Sequence, residues 1–577
     1  MKASDYIVSF LEEKGINTIF GYIGGMITHL VDSIDKNPNV KFIQTYHEQT
    51  AAIAAEGYAI ESGKVGVAIC TSGPGVTNMM TGIADAYFGS IPVIYITGQV
   101  NTYEYKYDKP IRQQGFQEMD VVSVVKPIVK YATMIDKAEN LCYELEKAIY
   151  IATSGRKGPV VLDLPMNISR ADINPEHLNH FFPNEPKEEE ESINWDNIIR
   201  FIQDSKRPML LLGAGCQGLH EQISEFLSLY PMPVVTSLMG RGAMDETYSY
   251  YVGMVGSYGN RSANMTIAKA DLLIVAGSRL DTRQTGAMID EFLPQGKIIH
   301  IDIDRNELIN HRLTNRLQVN CSIQSFFHKI AHTNIIYREN HKWLQWILLM
   351  KHKYSQEEEV IRFVENKVPY QFIQILNDIT QENDVITTDV GQNQMWAAQM
   401  IKLKKGQKFL TSGGLAPMGY SLPAAIGVAF ANPQKTIYCI NGDGGIQMAM
   451  QSLLLISQYN LNIKIIVLNN KALGMITQFQ HLYFKDRMAA TTKQGGYLLP
   501  NFKTLSESFH IPYYNINNLD KTFLKDVLKE RYVFLNVTIN GLTSVSPKLE
   551  YNRPIYLPTP TISDKELKEF KKSFAEE

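Results

Sequence analysis

Three doubly wound α/β domains, each built on a parallel sheet, are what this sequence predicts, and three observations predict them. At 577 residues the chain exceeds what one hydrophobic core supports. Short apolar runs alternate with helix-length stretches through three successive blocks, as in strands joined by crossover helices. The unusual chemistry sits where apolar runs end, and in parallel sheets those ends share one rim. The expected domains are 1–172, 192–335 and 366–540, with 541–577 as a C-terminal strap or lid.

Composition narrows the function. The chain is 45% hydrophobic and 20% charged with net charge −3, a balance that offers no case for nucleic acid or an anionic membrane. The first helix is interrupted by Asp5, Glu12, Glu13 and Lys14, so it is no signal peptide, and no later run approaches a membrane span. Five scattered cysteines without CxxC spacing read as buried thiols. A cytoplasmic protein is expected.

In the first block, strands are expected at 18–21, 41–45, 65–70, 93–97 and 159–162. The first ends in Gly21-Tyr22-Ile23-Gly24-Gly25. The second ends in Tyr46-His47-Glu48-Gln49, opening a small-residue helix over 50–62, and the third in Thr71-Ser72-Gly73-Pro74-Gly75. A lone glutamate in a first helical turn is ordinarily a favourable dipole partner. Residues 99–118 are longer than a routine connection and read as a functional loop ending in Phe116-Gln117-Glu118. The acidic, proline-flanked stretch 183–191 reads as a solvated linker.

The middle block has expected strands at 209–212, 234–236, 272–275 and 297–303. Gly213 and Gly215 follow the first, a weak dinucleotide hint. A charged helical linker is expected over 336–366. In the third block, Val390-Gly391-Gln392-Asn393-Gln394 ends a strand, and a glycine-rich run carrying Met418 precedes a helix.

The centre of the chain is 441–484. An apolar strand, 437–440, ends in Gly442-Asp443-Gly444-Gly445; a helix is expected over 447–459 and a strand over 463–468, ending in Asn469-Asn470. Adjacent parallel strands bring Asp443 and Asn470 together. A carboxylate, an amide oxygen and nearby carbonyls suit Mg²⁺ shared with a ligand's phosphates, and the glycines let backbone N–H groups approach a diphosphate. Either motif alone is more often a turn or a loop start.

Joined in this βαβ context they resemble the thiamine diphosphate signature. With YHEQTAAIAAEGYA and TSGPGVTNMMTGIADAYFGSIPVIYITGQV, the chain resembles the acetolactate synthase family over about residues 1–538. The resemblance implies pyrimidine-binding, central and diphosphate-binding domains, and thiamine diphosphate with Mg²⁺ on Asp443, Asn470 and the Ala472 carbonyl. It places Gly24, Thr71, Gly391, Gln392, Asn393, Met418, Gly442, Gly444, Gly445 and Met475 at the cofactor. Glu48 is implied to bind N1′ of the aminopyrimidine, favouring the tautomer whose 4′-nitrogen deprotonates thiazolium C2. Phe116, Gln117 and Arg283 are implied on the substrate side. Gly213, Gly215, Arg279 and Asp302 are implied to hold FAD.

The chain also departs from the family. Asn393 replaces a usual histidine. Gly253-Met254-Val255-Gly256 and Cys321-Ser322-Ile323 differ from the flavin-binding pattern. Phe479 and Met166 stand where biosynthetic members carry tryptophan and lysine, leaving an acceptor pocket that reads as roomier and less committed to an acidic acceptor.

The implied reaction is decarboxylation of pyruvate and transfer of the hydroxyethyl unit to a carbonyl acceptor, foremost a second 2-oxo acid. Alternatives are transfer to a keto sugar in surface-polysaccharide biosynthesis, or simple 2-oxo acid decarboxylation. Glu48, Asp443 and Asn470 together argue against a non-catalytic binding protein. The family's site is shared between two chains, so a homo-oligomer is expected.

Overall fold

The computed structural model describes residues 1–183, 193–541 and 543–574. All but the first residue of the expected acidic linker lies outside them. The first sheet contains β1 (Thr18–Tyr22), β2 (Lys41–Gln44), β3 (Gly66–Cys70), β4 (Val93–Gln99), β5 (Tyr131–Met134) and β6 (Val160–Pro165), in the order β2-β1-β3-β4-β6-β5. The second contains β7 (Pro208–Leu212), β8 (Val234–Thr236), β9 (Tyr251–Met254), β10 (Leu272–Ala276), β11 (Lys297–Asp302) and β12 (Arg316–Asn320), ordered β12-β11-β10-β7-β8-β9. The third contains β13 (Val385–Thr388), β14 (Lys408–Leu410), β15 (Ile437–Gly442), β16 (Ile463–Asn469), β17 (Tyr513–Ile516) and β18 (Val533–Thr538), ordered β14-β13-β15-β16-β18-β17.

Every pairing among these strands is parallel, so the predicted fold class holds. The first and third sheets have the same order position by position, and the middle one has the order of dinucleotide-binding folds. Central strands such as β3, β4 and β16 are buried along their whole length, as expected of strands covered on both faces.

Five helices position the chemistry: α1 (Glu48–Ser62), α2 (Gln392–Met400), α3 (Ser421–Ala431), α4 (Asp443–Met448) and α5 (Gly474–Tyr483). Helix α1 of the first domain lies directly on α3 of the third. A Cβ on Gly57 would overlap the Ala424 carbonyl, and one on Gly427 would overlap that of Ala54, so the two backbones touch. Thr50 and Ser452 hydroxyls meet at 2.9 Å beside this contact, and one buried cluster runs through both sheets.

The helix expected over 447–459 is corrected. It begins at Asp443, breaks at Ala449, passes through a 3-10 turn at Met450–Ser452 and resumes over Leu453–Gln458. Paired glycines suggest a turn when read locally. Here Gly445 is pressed against Asp389, where any Cβ would overlap Oδ1, and that tertiary contact admits the glycines into the helix.

The linker expected over 336–366 contains helices His341–Lys353 and Gln356–Phe363. After β18 the chain crosses back over this connector and the middle domain. Arg261 and Glu359 form a bidentate ion pair at 2.6 and 2.9 Å, with side chains 1% and 2% exposed. Arg261 also donates to the carbonyls of Pro558 and Pro560, and the Ser546 hydroxyl donates to Glu359, so the pair fastens the returning strap at two points. No helix among the described residues is long and apolar enough to cross a membrane. All five cysteines are free thiols, four of them buried.

Candidate active site

The third sheet builds the first half-site. Strands β15 and β16 pair with Asn441 opposite Val467 and Gly442 opposite Leu468, so their ends emerge side by side. Asp443 opens α4 and is 1% exposed. Its Oδ2 accepts from the Lys471 N–H at 2.7 Å, and its Oδ1 from the Tyr497 hydroxyl at 2.7 Å. Asn470 Oδ1 accepts from the Ala472 N–H at 3.3 Å, while its Nδ2 donates to Gln392 Oε1 at 3.1 Å. Asp443, Asn470 and Ala472 therefore share one corner, as the spacing of the motifs predicts.

Burial pushes the Asp443 carboxyl up to about 6, against the opposing pull of Tyr497 and the N–H groups of Lys471, Ala472 and Asn470. Among the described residues, no cation pairs with it. A buried carboxylate held only by neutral donors fits a divalent cation, which would supply the missing charge.

Glycine positions shape the floor beside this corner. A Cβ on Gly444 would approach Leu473 Cδ2 at 2.9 Å, Met418 Cε at 3.0 Å and the Tyr497 hydroxyl at 3.0 Å. Met418 thus lies directly over Gly444. Asn393 Oδ1 faces both Gly391, whose φ is +150°, and Gly442, while Asn393 Nδ2 donates to the Asp389 carbonyl at 2.7 Å. Asp389 braces the Met418 loop, accepting from the N–H groups of Gly419 and Ser421 at 3.0 Å each. Met475, in the first turn of α5, is half-buried against the third domain's core. The side of Gly445 where a Cβ would stand is filled by Asp389. Tyr497 is invisible as a site residue in the sequence, because it reaches the corner through a loop distant from the motifs, while Asp389 stands directly before the Val390–Gln394 motif and shows its bracing role only in the packing.

The first domain builds the second half-site. Glu48 opens α1 and is 7% exposed, with Oε2 accepting from Asn78 Nδ2 at 3.0 Å. Gly24 packs on Thr71, where a Cβ would come within 2.5 Å, and the Gln117 carbonyl lies over Gly73. The substrate-side pair therefore borders the loop next to Glu48. Phe116 is 79% exposed. Glu118 anchors this loop by accepting three backbone N–H groups, from Lys106, Gln114 and Gly115. Among the described residues, no hydrogen bond or ion pair joins the Glu48 group to the Asp443 group.

The residues expected at the acceptor side come from three separate elements. Phe479, on α5, packs against Tyr483 with ring centroids 4.7 Å apart and is 45% exposed. Arg283 lies over the Tyr258 ring at 5.6 Å. Met166 stands just past the end of β6, opening a short helix.

The four residues read as a flavin site gather around the second sheet, at the ends of β7, β10 and β11. Gly213 and Gly215 are packed against the Gly277 backbone, with the Gly215 N–H donating to the Gly277 carbonyl at 3.0 Å. That close approach accounts for both glycines by the chain's own packing. Arg279 lies 3.8 Å from Asp281, and Asp302 accepts from the Asp304 N–H at 2.8 Å.

Comparison with known proteins joins the two half-sites to one chemistry. Residues 1–124 match the N-terminal TPP binding domain of thiamine pyrophosphate enzymes, residues 195–330 their central domain, and residues 389–537 their C-terminal TPP binding domain. The acetolactate synthase large subunit of Lactococcus lactis is 34% identical over 560 residues, covering 95% of this chain and 94% of that protein. A probable acetolactate synthase large subunit of Methanocaldococcus jannaschii is 36% identical over 92% of this chain and 90% of its own length. The isozyme 3 large subunit of Escherichia coli is 33% identical over 95% and 96%. With similarity of this extent across all three domains, the chain is a thiamine diphosphate-dependent enzyme and belongs to the acetolactate synthase family.

Proposed function

We propose that this chain is a carboligase that decarboxylates pyruvate and passes the remaining two-carbon unit to a second carbonyl compound, foremost another 2-oxo acid. The observation that carries the reading is Asp443, a carboxylate 1% exposed, held by neutral donors at the joined ends of β15 and β16. Asp443, Asn470 and the Ala472 carbonyl would hold Mg²⁺. When bound, thiamine diphosphate supplies an electron sink for the carbanion left as CO₂ departs.

The chain's own residues orient and protect that chemistry. Glu48, sheltered from water and fixed by Asn78, would hold a proton at the pyrimidine N1′. Met418, over Gly444, would form an apolar wall beneath the cofactor. Gln117 would face the substrate beside Glu48, and Arg283 would hold a substrate carboxylate.

Because the Glu48 and Asp443 groups stay separate within one chain, we assign completion of the site to a second copy, making the enzyme a homo-oligomer. Arg279 and Asp302 would carry FAD at the crossing point of the second sheet, where nucleotides bind in this strand order. A colourless preparation that takes up no flavin removes that assignment. The exposed Phe479 ring supports a second reading, a bulkier acceptor such as a keto sugar.

Product analysis tests both readings. Incubation with pyruvate, Mg²⁺ and thiamine diphosphate, with and without acceptors, should yield acetolactate. Release of acetaldehyde as the sole product would make the enzyme a simple decarboxylase.

A further inference from the structure

The strap after β18 runs alongside α5, from the metal corner towards Phe479. The Thr543 carbonyl accepts from Gln392 Nε2 at 2.8 Å, and Gln478 is hydrogen-bonded to Val545 in both directions, at 3.0 and 3.1 Å. Ser546 and Pro547 carbonyls accept from Gln356 and Gln399. Lys548 follows, pinned by an antiparallel bridge to Thr559. Its ammonium comes to rest 5.9 Å from the Phe479 ring and 5.8 Å from the Tyr483 ring.

The strap backbone also ties this lysine to Arg283. The Leu549 N–H donates to the Ser257 carbonyl at 2.6 Å, and the Ser257 N–H donates to the Arg283 carbonyl at 2.7 Å. Tyr258, beneath the Arg283 guanidinium, is also near enough to Tyr483 for that phenol to influence its ionisation. Arg283, Tyr258, Tyr483, Phe479 and Lys548 thus form one aromatic and cationic cluster.

Lys548 is 8% exposed, yet among the described residues no hydrogen bond or ion pair is made by its ammonium. Glu550 is the acid that acts on it, and that carboxylate already accepts from the Thr559 hydroxyl. Burial lowers the ammonium's pKa from its ordinary value. Two ring faces offset only part of the desolvation of a buried cation. The neighbouring rings stay open: Phe479, Tyr483 and Phe484 are 45%, 43% and 44% exposed.

We propose that Lys548 is a specificity-determining cation of the acceptor pocket, acting beside the Phe479 ring and together with Arg283 to hold a carboxylate or phosphate on the second carbonyl substrate. It supplies from the strap the positive charge that Met166 lacks. The sequence alone reads the pocket as less committed to an acidic acceptor; Lys548 adds a second cation to Arg283. This inference rests on the carboligase reading above.

The test uses full-length enzyme loaded with Mg²⁺ and thiamine diphosphate, with pyruvate as donor and three acceptors. 2-Ketobutyrate carries a carboxylate, glyceraldehyde 3-phosphate a phosphate, and glyceraldehyde neither. Lys548→Met should lower the ratio of kcat/KM for the preferred anionic acceptor to that for glyceraldehyde by about tenfold or more, the loss of a charge-assisted hydrogen bond. The loss should fall chiefly on the acceptor's KM, and Lys548→Arg should recover most of it. The anionic acceptor that suffers more identifies the group held. Equal losses on all three acceptors, or an unchanged ratio, would overturn the inference while leaving carboligation intact. Wild-type enzyme that consumes pyruvate without ligating any acceptor would overturn the carboligase reading, and this inference with it.

Discussion

Replacing Arg261 by methionine tests whether the strap is fastened by the buried ion pair. The substitution keeps an unbranched apolar side chain but removes both hydrogen bonds to Glu359 and those to the Pro558 and Pro560 carbonyls. Glu359, 2% exposed, is left with the Ser546 hydroxyl as its hydrogen-bond donor. Removing one member of such a pair costs about 3–5 kcal/mol, because the survivor is an uncompensated buried charge. That corresponds to roughly a hundred- to several-thousandfold shift in the opening equilibrium of the strap.

A three-domain chain need not unfold in one step. The direct readout is therefore the rate of proteolytic cleavage within residues 543–560, supported by the unfolding midpoint. The double variant Arg261→Met with Glu359→Leu removes both charges and should recover much of the loss. Recovery should stay incomplete, since the Ser546 hydroxyl and two proline carbonyls lose their partners at about 1 kcal/mol or more each. A single variant cleaved at the wild-type rate, or a double variant no better than the single, would refute the reasoning.

Three further outcomes are expected. Glu48→Gln can still accept from Asn78, so cofactor binding measured by calorimetry should persist while turnover falls about a hundredfold or more; near-normal turnover would sink the role of Glu48. Asp443→Ala strips the corner of its charge and leaves the Lys471 N–H and Tyr497 hydroxyl without their acceptor, so Mg²⁺-dependent retention of thiamine diphosphate should be lost in equilibrium dialysis. Tight metal-dependent binding in that variant would contradict the assignment. Asp163 is buried beneath Gln99 and Thr97, and burial raises its pKa from 3.8 to about 7. Between about pH 4 and 7 the folded state then holds the proton more firmly than the unfolded one, so this group's stabilising contribution declines as pH rises. Asp163→Asn should flatten that decline in unfolding midpoints, and an unchanged slope would count against it.

Whatever depends on neighbours along the chain is legible in the sequence. Buried parallel strands are continuous apolar runs, so β3, β10, β15 and β16 can be read to within a residue or two. Strand ends in a parallel sheet share a rim, so the spacing of the two motifs suffices to place Asp443 beside Asn470. The edge strands β5, β12, β14 and β17 escape such a reading, because β5 is half-buried throughout and the others carry partly exposed positions that mute the apolar signal. The helical start at Asp443 is also hidden, since its glycines are justified by Asp389, far away in sequence. Only long-range packing selects the distant polar groups that complete the site. Tyr497 reaches Asp443 through a loop, and Lys548 reaches Phe479 through a strap fastened to the middle domain. Neither partner lies within the span of a helix turn or strand pair, so no local periodicity records it. Such contacts are specified by long loop closures, whose entropy is repaid only when all three domains are packed.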